Sequence, residues 1–289
     1  MLKPKTPVNT VMKDPLQTVQ PFLWKVIVFV FFVYVAIALL TFLIQRKLQY
    51  FPATSPVPLP RGKHYRDLEE FTVTTSDGVR LVGWYWQGQR PVTLLVFHGN
   101  GGHRGHRIEW LESMHSLGLG ICVIDYRGYG GSDGSPSEEG LYRDAEAALG
   151  WLKSRQTGSI VYFGESLGSG VATELALRFP PAAMILESAF TSAVDIGQKA
   201  YPFLPVRLLM KDRYESLRKI GKISAPLLMI HGEADSLVPV ENGRTLFEAA
   251  AEPKEWYGVP AAGHNDLQWV GGKGYLERIN QFLRQHVPQ

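Results

Sequence analysis

From about residue 69 onward the chain alternates short apolar runs with amphipathic stretches, and this alternation constrains the fold class more than any other feature. The runs are VTLLVFH, GICVIDY, SIVYFG, AMILES and PLLMIHG. Each is apolar at consecutive positions rather than at every second one, so a strand made of it is buried on both faces. The stretches between them, such as 139–154, 167–179 and 241–251, carry apolar residues at helical spacing. Strands buried on both sides and joined through helices make an α/β domain, a mostly parallel sheet with helices on both faces. Ahead of them, FTVTT and VRLVGWYW flank Ser76-Asp77-Gly78. Asp-Gly between β-rich runs marks a hairpin, so the sheet opens with an antiparallel edge.

The N-terminal part follows different rules. Val26 to Ile44 is a run of nineteen residues without a charge, enough to span a bilayer core as a helix. Trp24 and Lys25 sit at one end and Gln45-Arg46-Lys47 at the other, as interfaces favour. No small-residue cleavage site follows, and the run is longer than a usual signal-peptide core. A single-pass anchor over 22–47 is therefore expected, with a cleaved signal peptide and a buried helix as the competing readings. Lys3, Lys5, Lys13 and Lys25 on one side balance Arg46, Lys47, Arg61 and Lys63 on the other, so the charge rule gives no orientation. Residues 1–21 carry Pro4, Pro7 and Pro15 and read as a polar tail. Residues 48–64 include PATSPVPLPRG and read as a proline-rich linker. A catalytic domain over 65–289 remains.

Composition matters where it excludes. Net charge is +3, with Lys and Arg scattered, so no nucleic-acid partner is expected. The lone Cys122 lies in an apolar run, which rules out an internal disulfide and reads as a buried strand residue. With 29 glycines, a G-x-S-x-G match carries little weight alone, and two occur: Gly130-Gly131-Ser132-Asp133-Gly134 and Gly164-Glu165-Ser166-Leu167-Gly168.

Position separates them. In a parallel sheet reactive groups collect at the carboxyl ends of strands. Ser166 follows the strand SIVYFG directly and precedes the helix LGSGVATELALRF, the strand–turn–helix context of a nucleophile elbow. A side chain at Gly164 or Gly168 would clash where helix and strand approach. Ser132 lies among turn residues several positions past its strand, with Pro136 following and no helix starting there, so it reads as loop.

A serine hydroxyl needs a base, itself oriented by a carboxylate, and in this arrangement the acid and then the histidine follow the serine in the chain. His264 lies in the small-residue loop YGVPAAGHNDL after a strand, whereas His286 sits in a terminal helix and reads as a solvated side chain. Asp235 follows PLLMIHG and is the expected acid; Glu187, at the end of AMILES, and Glu233 are the alternatives. Acyl transfer also needs donors for the developing oxyanion. Gly99-Asn100-Gly101-Gly102 after VFH lets backbone N–H groups turn inward, and the N–H groups of Asn100 and Leu167 are the expected pair. His98, His103 and His106 lie close in sequence, but no acidic ligand is patterned with them and the glycines are accounted for by the oxyanion site. Neither a metal nor a cofactor is implied.

From about residue 65 to 288 the chain resembles the α/β-hydrolase superfamily. The residues that carry the likeness are His98-Gly99-Asn100-Gly101-Gly102, Asp125-Tyr126-Arg127-Gly128-Tyr129-Gly130, Gly164-Glu165-Ser166-Leu167-Gly168 and His231-Gly232-Glu233-Ala234-Asp235. Together they are similar to small membrane-anchored serine hydrolases related to bud-emergence-type proteins, to acyl-protein thioesterases and to the prolyl aminopeptidase-like branch. The resemblance implies a Ser-Asp-His triad and the same oxyanion pair, without fixing a substrate. No large cap domain is expected, a departure from the lipase branch of that superfamily, since only AFTSAVDIGQKAYPFLPVRLLMKDRYESL separates AMILES from PLLMIHG. In that segment Tyr201, Phe203 and Leu204 are expected as substrate contacts, within a cluster that also includes Leu208, Leu209 and Met210, and RLLMKDRYESL as a short amphipathic helix.

The expected function is cleavage of a carboxylic ester or thioester, on a small-molecule or acylated substrate. A peptidase acting on short peptides is the alternative within enzymes. It needs a carboxylate cluster for the free amine, for which Glu187, Glu233 and Asp266 are available. A non-catalytic membrane scaffold that keeps the fold is the alternative outside them.

Overall fold

The protein is described from a computed structural model covering residues 15–156 and 158–288, with the side chains of 15–21 excepted. It divides into two units, the first ending at Gln45 and the second running from Arg46.

The first unit is helical. Helix α1 spans Pro15–Gln49, and its stretch Phe22–Gln49 is, by length and composition, able to cross a bilayer. Phe29, Phe32 and Leu43 on it are exposed. Of the expected polar tail, residues 1–14 lie outside the described residues, and 15–21 are already helical. The described helix therefore already includes Pro21 and the six residues before it.

The second unit is built on strands β1 (Phe51–Pro52), β2 (Leu68–Thr74), β3 (Arg80–Trp86), β4 (Val92–Phe97), β5 (Gly101–Gly102), β6 (Gly120–Ile124), β7 (Ser159–Glu165), β8 (Ala183–Glu187), β9 (Leu227–Gly232) and β10 (Lys254–Val259). Eight of them form one sheet in the order β10-β9-β8-β7-β4-β6-β3-β2. The six strands from β10 to β6 run parallel. β2 and β3 pair antiparallel through the hairpin anticipated at Asp77-Gly78, and β3 joins β6 antiparallel.

Helices α2 (Ile108–Ser116), α3 (Glu138–Arg155), α4 (Leu167–Arg178), α5 (Ala193–Ala200), α6 (Val206–Leu209), α7 (Leu217–Ile220), α8 (Val240–Ala249) and α9 (Leu267–His286) cover both faces. The pleat sends alternate residues of each strand to opposite sides. Leu95 and Phe97 of β4 pack with Leu149 of α3 and Val171 of α4, while Leu94 and Val96 pack with Met114 of α2 and Ile279 of α9. Cys122 is buried in β6, and burial drives its thiol far above the ordinary range. Only one turn, α6, forms where RLLMKDRYESL had suggested a longer helix. The carboxylate of Glu138 at the start of α3 instead takes the N–H groups of Arg213 (2.5 Å) and Tyr214 (3.0 Å), holding that stretch irregular.

Residues 48–64 do not behave as a spacer. Tyr50 is 3 % exposed and Val57 is buried, and β1 pairs with β5. The prolines that suggested a stiff linker lie in a strap laid against the domain.

Candidate active site

The expected triad and one expected donor sit just past the carboxyl ends of parallel strands: Asn100 past β4, Ser166 past β7, Asp235 past β9 and His264 past β10. The first two strands lie at the point where the chain order around β4 reverses, β6 on one side and β7 on the other, which is where an open α/β sheet forms its crevice.

Ser166 is the residue between β7 and α4, with φ 49° and ψ −112°. An L-residue at such a conformation costs about 1–3 kcal/mol and persists only where its surroundings hold it. The holding is visible in the backbone: the Ser166 N–H donates to the Glu187 carbonyl at 2.9 Å. It is visible in the glycines too. A Cβ on Gly164 would lie 2.6 Å from the Gly168 carbonyl oxygen, and one on Gly168 1.9 Å from that of Phe97. The clash expected at both positions is therefore present.

Ser166 Oγ lies 2.9 Å from His264 Nε2, and His264 Nδ1 lies 2.7 Å from Asp235 Oδ2. The other oxygen of Asp235 accepts from the N–H groups of Leu237 (2.9 Å) and Val238 (2.8 Å). Burial raises the pKa of the Asp235 carboxyl, yet the His264 bond and charge and the Val238 N–H outweigh it and hold the group below the usual carboxylate range. An ionised carboxylate on Nδ1 leaves Nε2 as the free lone pair facing the hydroxyl. His231, buried beneath, bonds the Val238 carbonyl through Nε2 at 2.8 Å and so pins the loop that carries Asp235.

The other carboxylates weighed in the sequence, Glu187 and Glu233 as acids and Asp266 for a peptide amine, lie outside the bonded series from Ser166 through His264 to Asp235. Glu187 accepts the Tyr275 hydroxyl at 2.6 Å, which in turn accepts Trp110 Nε1–H at 2.8 Å. The Glu233 carboxylate lies over Gly258, near Trp256, and Asp266 takes the Gly263 N–H at 2.7 Å. His286 is not simply solvated, since it lies 2.8 Å from Glu255. Ser132 is loop, as expected, with glycines at positive φ on both sides. Its hydroxyl donates to the Asp125 carbonyl (2.8 Å) and accepts from the Val82 N–H (2.9 Å), which leaves it occupied.

Glu187 carries a pH signature. Burial pushes its carboxyl up to about 8, the charge of Glu165 beside it adding to this and the Tyr275 bond opposing it. A carboxyl with a raised folded-state pKa holds its proton more tightly when folded. Its stabilising effect is complete below the unfolded value of about 4.3 and is lost as pH rises towards 8. Between pH 5 and 8 the wild type should lose about 1–3 kcal/mol relative to Glu187→Gln, which has no proton to release. Thermal melts of both proteins across that range check this; a difference that stays constant with pH contradicts it.

Leu167 opens α4, so its N–H belongs to the first turn, which finds no partner within its helix. Asn100 sits in the neighbouring loop, brought against α4 by the approach of Gly168 to Phe97 and His98. Sequence reasoning missed what braces that loop. Tyr126 donates its hydroxyl to the His98 carbonyl (3.0 Å) and Tyr129 to Asn100 Oδ1 (3.0 Å). Both belong to the Asp125–Gly130 motif, which had carried only a family likeness. Asp125 itself forms a buried ion pair with Arg104. The three closely spaced histidines have separate tasks: His98 is buried with Nδ1 on the Gly99 carbonyl at 2.7 Å, while His103 and His106 stack and cap the short turn Arg104–Arg107.

Of the expected substrate contacts, Leu204 is buried, whereas Tyr201 and Phe203 are exposed with their rings edge to face. Further exposed apolar residues, Leu237 and Trp269, stand on the segments that follow Asp235 and His264. A serine hydroxyl 2.9 Å from a histidine that a carboxylate holds on its other nitrogen has the arrangement nucleophilic catalysis requires.

Comparison with known proteins supports a hydrolase. A family model described as serine aminopeptidase, S33, matches residues 89–212. An uncharacterized protein of Mycobacterium tuberculosis is 44% identical over 252 residues, 83% of this chain and 88% of its own length. Alpha/beta hydrolase domain-containing protein 17B of Homo sapiens is 34% identical over 230 residues, 76% of each chain. The Arabidopsis thaliana alpha/beta hydrolase domain-containing protein WAV2 is 31% identical over 274 residues, 85% of this chain and 89% of that one. Among solved structures, an esterase of Pyrococcus furiosus superposes with TM-score 0.68 at 21% identity, covering 82% of this chain and 100% of its own.

Proposed function

The chain belongs to the α/β-hydrolase family, and on that premise we propose that it is a membrane-anchored serine hydrolase cleaving carboxylic esters or thioesters. The observation that carries the reading is the hydrogen-bonded series from Ser166 through His264 to Asp235, with spacings of 2.9 and 2.7 Å. Ser166 Oγ attacks the acyl carbonyl while His264 Nε2 takes its proton. Asp235 holds the imidazole in the required tautomer and balances the imidazolium. The carbonyl oxygen, now negative, is received by the N–H groups of Asn100 and Leu167. Collapse expels the alkoxide or thiolate, to which the imidazolium returns the proton. Water, activated by the same histidine, then frees the acid from the acyl-enzyme.

The apolar helix Phe22–Gln49 supports an anchor. Exposed apolar side chains support a lipid or lipidated-protein acyl group as substrate: Leu237 in the loop after Asp235 is 56 % exposed, Trp269 in the first turn of α9 69 % and Phe203 between α5 and α6 66 %. Such residues gain from contact with an acyl chain or a bilayer surface.

A fluorophosphonate probe on the full chain in detergent should label the wild type and Ser132→Ala and leave Ser166→Ala unlabelled. Labelling of Ser166→Ala at the wild-type level ends the proposal. A series of esters and thioesters of rising chain length should peak at long chains, and a peak at acetyl would remove the lipid reading. Turnover of aminoacyl-naphthylamides alone would favour the peptidase that the matched family description suggests.

A further inference from the structure

The loop that carries Asn100 contains Gly99, Gly101 and Gly102, and so much glycine gives it little intrinsic preference for one conformation. An oxyanion donor is effective only when its N–H is held in place before the reaction. Something other than the loop must hold it.

The strap that follows the apolar helix is wired to this loop. Asn100 Nδ2 donates to the Gln49 carbonyl at 2.5 Å, and Asn100 Oδ1 accepts the Phe51 N–H at 3.4 Å. Phe51 and Pro52 lie opposite Gly101 and Gly102 in a parallel pair, and the Ala53 N–H donates to the Gly102 carbonyl at 3.2 Å. With Tyr129 on Oδ1 as well, the Asn100 side chain is occupied in holding the loop between the strap and the domain.

The strap is itself fixed at both ends. Arg46 meets the Asp212 carboxylate through two nitrogens (2.8 and 3.1 Å), Gln49 Nε2 donates to the Asp212 carbonyl (2.9 Å), and the Tyr50 and Tyr214 hydroxyls bond at 2.8 Å. At the far end the Ala53 carbonyl accepts the Gly130 N–H at 2.8 Å, and the Val57 carbonyl accepts from buried Arg104 at 3.2 Å. Two-point arginine pairs and a buried hydroxyl pair fix orientation as well as distance.

We propose that residues 46–53 are a positioning segment for the oxyanion donor, acting through the Asn100 side chain so that its backbone N–H faces the reacting carbonyl. The proposal rests on the reading of Asn100 as that donor. It adds that the last turn of the apolar helix and the residues that follow it are part of the active-site architecture.

The test compares the wild-type full chain in detergent with Arg46→Ala/Tyr50→Phe, which releases the upstream end of the strap. A second variant, Asn100→Asp, replaces the donor to Gln49 with a repelling oxygen. Competent sites are counted with a fluorophosphonate, so every constant refers to folded enzyme. The probe is an alkyl trifluoromethyl ketone: Ser166 Oγ adds to its carbonyl, the proton passes to His264, and the resulting hemiketal oxyanion occupies the donor site. Both variants should bind it about 10- to 100-fold more weakly per competent site and lose kcat in parallel, with KM within about threefold. Combining them should add little, because both act through one loop. Ketone affinities within twofold of wild type would overturn the proposal and leave the strap a purely structural element. If the double variant does not accumulate, Tyr50→Phe alone loosens the same end and is judged by the same criterion. Failure of the wild type to react with fluorophosphonate would instead sink the serine-hydrolase reading, and this proposal with it.

Discussion

Asp235→Asn should lower kcat/KM for an ester by about 10⁴-fold, almost as far as His264→Ala or Ser166→Ala. The reason lies in how the acid is held. One oxygen of Asp235 accepts two backbone N–H groups, from Leu237 and Val238, and in the amide variant only the carbonyl oxygen can keep those bonds. The amide nitrogen is thereby turned towards His264 Nδ1, where the second oxygen now lies. A nitrogen that donates to Nδ1 forces the ring proton onto Nε2, and a protonated Nε2 has no lone pair for the Ser166 hydroxyl. A substitution that preserves shape thus reverses the tautomer and disables the base. Asp235→Asn and Ser166→Ala change little volume and should melt closer to wild type than His264→Ala, which removes a ring whose side chain is 9 % exposed and leaves Asp235 without its partner. Steady-state kinetics on the full chain, corrected for folded protein, decides the matter. An Asp235→Asn enzyme keeping more than a tenth of wild-type kcat/KM would show that the backbone donors do not orient the amide.

The site was more legible in the sequence than its support. Ser166 and Asp235 were recognisable because they follow SIVYFG and PLLMIHG closely, and runs apolar at consecutive positions become strands buried in the sheet; His264 was recognisable from its small-residue loop past β10 and its place after the acid in the chain. Strand ends are local signals, and the chain order of the three residues orders them in space. The strap was not legible. Tyr50 is buried by a partner 164 positions away, and nothing in PATSPVPLPRG announces that its neighbours pair with two glycines of another loop. Proline-rich composition reports stiffness, which suits a spacer and a strap equally. Tyr126 and Tyr129 were hidden for a related reason: their hydroxyls reach the loop of His98 and Asn100 across about 28 residues of chain, and a tyrosine after a strand end looks the same whether it binds solvent or a carbonyl.

Gly168→Ala should abolish the native fold or destabilise it by more than about 4 kcal/mol, a range reached only by severe strain or core disruption. A methyl group there would lie 1.9 Å from the Phe97 carbonyl oxygen, 2.5 Å from the Phe97 carbonyl carbon and 2.9 Å from the His98 oxygen. These are backbone atoms at the end of a central strand, so no rotamer change relieves the overlap. Relief requires α4 to move away from β4, and α4 carries Leu167 at its start. The variant that does fold must therefore open the elbow and lose reactivity at Ser166 as well as stability. Gly150→Ala supplies the contrast within the same protein. It lies exposed in the interior of α3 with nothing within 4 Å of the added carbon, so the change should stabilise by about 0.5–1 kcal/mol through helix propensity alone. Thermal melts of the two variants should move in opposite directions from wild type. A Gly168→Ala protein melting near wild type and still labelled by fluorophosphonate would mean that the sheet yields where β4 meets α4, and that the tight approach of the two elements is not what holds Ser166 at its positive φ.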